Sequence, residues 1–143
     1  MRARNNSLSP VASPAPPDSS GAPAQILDRE TMLGSVENDL DLLHELAELF
    51  FAESPGLLAQ IRSGIAQNKP ELVERCAHTL KGALSNFGAR RACQAARELE
   101  MCGRDARLGD AAAPFSTLEA EVAVASNALS DYLREVKRED SSL

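Results

Sequence analysis

Apolar side chains recur at three- and four-residue steps from Ile26 to Val136, and no stretch alternates strictly. That pattern predicts amphipathic helices and no strands. Ile26 to Leu33 reads as a short helix, with Asp28 placed to cap it and Gly34-Ser35 to break it. Glu37 to Ala52 is a stronger helix, with Leu40, Leu43, Ala47 and Phe50 on one stripe and Leu46 and Phe51 beside it. Asp and Glu cluster in its first turns, which suits the helix dipole. Ser54-Pro55 reads as a stop and a fresh start, because Pro suits a first helical turn and breaks an interior. A helix over Pro55 to Gln67 follows, and Asn68-Lys69 turns the chain. Pro70 to Phe87 is the next helix, closed by Gly88, where a left-handed residue would end the last turn. Ala89 to Cys102 turns small residues inward (Ala92, Ala95, Ala96), with Gly103 as its cap. After a connection over 104–113, Pro114 to about Val136 is a last long helix, with Phe115, Leu118, Val122, Leu129 and Leu133 facing in.

Short connections favour antiparallel neighbours. The expected fold is all-α: an up-and-down antiparallel four-helix bundle of 37–52, 55–67, 70–87 and 89–103, with a short N-terminal helix and an extended C-terminal helix. Residues 25–137 would form this unit. Residues 1–24, rich in Pro, Ser and Ala, have almost no large apolar residue to bury and read as a disordered tail or linker. Residues 138–143 read as a charged, frayed end.

The helix over 70–87 carries the candidate chemistry. Its apolar face (Leu72, Val73, Cys76, Ala77, Leu80, Ala83, Leu84, Phe87) leaves His78, Lys81 and Gly82 together on the polar side. A glycine inside a helix costs about 1 kcal/mol relative to Ala. Beside an exposed histidine it clears space for another surface to approach the ring. Imidazole is a usable nucleophile near neutral pH, and Lys81, one turn on, would offset negative charge arriving on it. Nucleophile, cation and clearance together suggest a histidine that accepts a phosphoryl group from a docked protein. Arg75, Ser85, Arg90 and Arg97 are candidates for the rim of the docking surface. His44, on the acidic helix, reads as incidental. No second base faces His78 from which to build a triad, and there is no phosphate-binding glycine loop.

His78-Thr79-Leu80-Lys81-Gly82, followed by Ser85-Asn86-Phe87-Gly88-Ala89, resembles the signature of the histidine-containing phosphotransfer (HPt) family: His-x-x-Lys-Gly, with a second Gly ten residues after the His. Ile26-Leu27-Asp28 is similar to the family's opening, Leu46 to Phe51 to its second helix, and Arg97-Glu98-Leu99-Glu100 to the helix after the histidine. The resemblance spans about 26 to 136. It implies a phosphocarrier without turnover of its own. His78 would take a phosphoryl group, through its outer ring nitrogen, from the aspartyl phosphate of a response-regulator receiver domain and pass it to another. Lys81 would screen the phosphoryl charge. Partners would be receiver domains and a hybrid sensor histidine kinase. No cofactor is implied, Mg²⁺ being expected on the partner receiver only. Two alternatives remain: a histidine-kinase substrate domain phosphorylated directly from ATP, and a non-catalytic helical adaptor.

Composition narrows the partners. Among 143 residues, 15 Lys and Arg stand against 21 Asp and Glu, which argues against nucleic acid. The charge is uneven. Asp28 to Glu53 holds eight acidic residues and one basic, while Arg62 to Arg107 holds nine basic and five acidic. A positive surface around His78 would complement an acidic partner. The three cysteines form no CxxC pair and read as core thiols of a reducing compartment. No apolar run is long enough for a membrane span, and the first 20 residues lack a signal-peptide core. A monomeric, cytoplasmic protein without membrane insertion is expected.

Overall fold

The computed structural model describes residues 26–141, with side chains to Lys137. The tail predicted over 1–24 lies outside the described residues, as do 142–143 of the predicted frayed end. The described chain is all-helical: α1 (Arg29–Ser35), α2 (Leu40–Ala66), α3 (Pro70–Ser85), α4 (Arg90–Arg104), a single 3₁₀ turn (Leu108–Asp110) and α5 (Ala112–Ser141). Helix α3 packs most extensively on α4. Contacts of α2 with α3, α4 with α5, and α2 with α5 close the bundle.

The four walls are therefore α2 to α5, which revises their expected membership. Ser54-Pro55 does not divide the chain, because Pro55 lies inside α2. The reason is visible in the burial. Leu43, Ala47, Phe50, Ser54 and Ile61 form one buried stripe that runs uninterrupted past the proline. Pro55 itself is exposed, on the outer side, where water can take the carbonyl it leaves unpaired. Burying several large side chains at about 1.5–3 kcal/mol each outweighs the roughly 3 kcal/mol cost of an interior proline. With two predicted helices fused into one, the long α5 supplies the fourth wall, burying Phe115, Leu118, Val122, Ala125, Leu129 and Leu133. It continues to Ser141 rather than ending near Val136.

Smaller differences also have physical causes. Helix α1 includes Gly34 and Ser35, and the break falls at Glu37 and Asn38, both left-handed (φ 53° and 65°). Helix α2 accordingly starts at Leu40 behind an Asp39 cap, which leaves Leu40 exposed rather than on the buried stripe. Asp28 caps α1 as predicted, its carboxylate accepting hydrogen bonds from the Glu30 and Thr31 amides. Gly103 is not a cap. It is buried within α4, where a Cβ would lie 2.6 Å from the Pro70 carbonyl oxygen and 2.6 Å from the Glu74 nitrogen. The left-handed residue after α4 is Ala106 (φ 56°). Gly88 is left-handed as predicted (φ 65°), and a Cβ there would meet the Asp28 Cβ at 2.3 Å. The adjoining Phe87 carbonyl accepts a hydrogen bond from the Asp28 amide, so this turn fastens the chain's entry to the end of α3.

Two opposed stability changes are expected in urea titrations. Gly103→Ala should lower stability by about 1–3 kcal/mol, because the helix backbones must part to admit a methyl group. Pro55→Ala should raise it by about 1–3 kcal/mol by restoring an interior helical hydrogen bond. Loss of stability in the proline variant would mean that the bundle depends on an irregularity in α2.

Candidate functional site

Helix α3 begins at Pro70, whose missing N–H falls where no intrahelical partner exists. From that start its periodicity buries Val73, Cys76, Ala77, Leu80 and Leu84. The same periodicity sets His78 outward, its side chain 66 % exposed. Lys81 is half-buried on the same side. Gly82 is exposed, and a Cβ built on it would meet nothing within 4 Å. The three residues singled out from the sequence are therefore neighbours on one surface, with open space at the glycine.

The rim candidates divide between two shallow hollows. Ser85, Arg90 and Arg97 line a groove with Lys81, Gly82 and Arg104. Arg75 lies across α3 in a second hollow with His78, Glu74 and Arg104. Within the groove, the Ser85 hydroxyl donates to the Gly82 carbonyl at 2.7 Å, and Arg90 reaches Asp28 at 3.7 Å. His44 is remote on α2 and faces Glu48 at 3.8 Å. The cysteines are free, and burial pushes each thiol's pKa up.

The sequence offered no second base facing His78, but the structure places a carboxylate beneath it. Glu100, on α4, has a side chain only 6 % exposed. Its Oε2 is 2.9 Å from His78 Nδ1, and its Oε1 accepts from Lys81 Nζ at 2.7 Å. Arg104, one turn along α4, donates to Oε2 at 3.3 Å and reaches Glu74 at 3.4 Å. Burial raises the Glu100 pKa, but hydrogen bonds and charge from Lys81 and His78 outweigh it, so the carboxyl is held below the ordinary value of 4.5. One signal for this residue is present in the chain. Glu100 follows Leu99 and comes four after Ala96, so it sits on the flank of a buried face, where a carboxylate needs partners.

An outward histidine on a four-helix bundle, with a lysine and a cleared glycine beside it, defines the class of small helical phosphotransfer modules. Comparison with known proteins makes the class a family. The Hpt domain model matches residues 45–138, and this chain belongs to the Hpt family. It is thus a histidine phosphotransfer module of phosphorelays, systems in which such domains work with receiver domains and histidine kinases. Among solved structures, it is similar to histidine-containing phosphotransfer protein B (HptB) from Pseudomonas aeruginosa PAO1, with a TM-score of 0.72 at 24 % identity over 78 % of this chain and 97 % of that one. It is also similar to the HPT domain of the Hpt sensor hybrid histidine kinase from Shewanella, with a TM-score of 0.68 at 18 % identity over 78 % and 96 %. At these identities the likeness is one of fold. No curated protein sequence matches the chain significantly.

A carboxyl whose pKa is depressed in the folded state stabilises the fold fully above its unfolded value, and that contribution is lost as pH falls through the lower folded value. Thermal midpoints measured from about pH 6 down to about pH 3 should therefore drop less steeply in Glu100→Gln than in the natural protein. Parallel curves would remove Glu100 from the acid response.

Proposed function

We propose that His78 is the phospho-acceptor of this module, taking a phosphoryl group from a receiver-domain aspartyl phosphate and passing it to the aspartate of another receiver. The observation that carries this reading is the exposed imidazole beside Lys81 and the open backbone at Gly82. Nucleophilic attack requires a ring nitrogen that a partner can reach, and the face over Gly82 is the unobstructed side. Lys81, three residues on from His78 on the same helix, would exchange its carboxylate partner for a phosphoryl oxygen and offset its charge. The receiver would contribute the reacting aspartate and a Mg²⁺ to offset phosphate charge. This chain holds the group covalently between two encounters and has no turnover of its own.

The groove along Lys81, Arg90, Arg97 and Arg104 gives the docking surface a positive sign, which suits the acidic pocket that receives and activates a phosphoryl group. Ser85 and, across α3, Arg75 border the same approach. The protein acts as a monomer in the cytoplasm, and no described helix is long and apolar enough to cross a membrane.

Incubation with a receiver charged by acetyl phosphate should place an acid-labile label on the natural protein and none on His78→Gln. Label persisting on that variant would refute the acceptor assignment. Gly82 supplies a second test. Gly82→Leu should fold at least as stably as the natural chain, since helix propensity improves by up to about 1 kcal/mol, yet transfer should slow at least about tenfold because the partner's approach is obstructed.

A further inference from the structure

The cations around His78 are not equivalent. Lys81 is held by Glu100 at 2.7 Å, Arg104 by Glu100 at 3.3 Å and by Glu74 at 3.4 Å, and Arg90 by Asp28 at 3.7 Å. Each already has a carboxylate, which a partner's carboxylate would have to displace. Two exposed arginines differ. Among the described residues, neither the Arg75 nor the Arg97 side chain has an ion-pair or hydrogen-bond partner. Not even Glu71, one helical turn before Arg75 and lining the same hollow, reaches it.

Their placement is complementary. Three residues turn an α-helix by about 300°, so Arg75, three before His78, lies to one side of the ring, and Lys81, three after, to the other. Arg75 lines the hollow that holds His78, and Arg97 lines the groove with Lys81 and Gly82. A free guanidinium therefore stands on each flank of the reacting imidazole. A lone unpaired arginine on a surface would mean little. Two that bracket one histidine, where the other cations are engaged, mark contacts left open for a partner.

We propose that Arg75 and Arg97 are specificity-determining anchors, and that the receiver which docks here presents a carboxylate on each side of its reacting aspartate. This rests on the reading of His78 as acceptor. The planar guanidinium takes a carboxylate through two parallel hydrogen bonds, which fixes direction as well as distance. Transfer needs the attacking and leaving atoms in line. A single anchor would let a docked receiver pivot over the ring, whereas anchors on both flanks set its angle. A receiver with a carboxylate on one side only would be attracted by the groove but held askew.

Transfer from an acetyl-phosphate-charged receiver, followed as kcat/KM, tests this. Arg75→Ala and Arg97→Ala should each lower it about 3- to 10-fold, and the double variant about 10- to 100-fold. Lys137→Ala, an equal charge change on exposed α5 surface, should stay within about twofold. Arg75→Glu and Arg97→Glu should then each be rescued by changing one acidic residue of the receiver to Lys, and the rescuing positions should differ. Losses no larger than in the Lys137 control overturn the proposal. So does rescue of both reversals by the same receiver position, which would mean a diffuse field rather than two contacts. Label that survives in His78→Gln counts instead against the acceptor reading.

Discussion

The close approach of α3 and α4 is the constraint on which the site depends. Gly103 allows the backbone of α4 to lie against the first turn of α3, with no room for even a methyl group between them. The alanines of α4 extend that approach along its buried face. Only at this separation can a glutamate side chain on α4 span the seam and meet both a histidine and a lysine on α3. A wider seam would admit water between the helices, and the charges gathered at Glu100 would be screened from one another. Backbone packing and site electrostatics are therefore one arrangement.

The seam also explains how an acidic protein presents a cationic surface. Acidic residues are concentrated between Asp28 and Glu53, in the cap of α1, the turn after it and the first half of α2, whereas Lys81, Arg90, Arg97 and Arg104 gather around the groove between α3 and α4. Glu100 neutralises part of this cluster from below without reaching the surface. The outer face keeps its sign, and the buried face is satisfied. A partner of opposite charge is steered by the former and need not disturb the latter.

Much of this was legible in the chain because it follows from periodicity. The stripe of α3 that buries Leu80 and Leu84 is the same fact as the exposure of His78, and positions three and four residues on had to share its surface. What sequence could not supply were outcomes of competition between elements. Pro55 carries a strong local signal for a helix start, but the signal yields to a buried stripe that continues on both sides of it. Gly103 looks like a terminator because glycine so often is one, and only the position of Pro70 and Glu74 on another helix reveals its use. Glu100 is ordinary in one dimension. Its meaning lies in a lysine and a histidine about twenty positions upstream, brought near by a turn whose packing no local pattern encodes.

The turn at Gly88 has a wider consequence. It binds the backbone at Asp28, while Asp28 pairs with Arg90 and Thr31 lines the groove beside Lys81. The described polypeptide therefore begins at the margin of the groove beside Lys81 and Gly82. Asp28 is thus shared by the cap of α1, the turn at Gly88 and an arginine of the groove, so the closure of the backbone and the charge at the groove's edge cannot be altered independently.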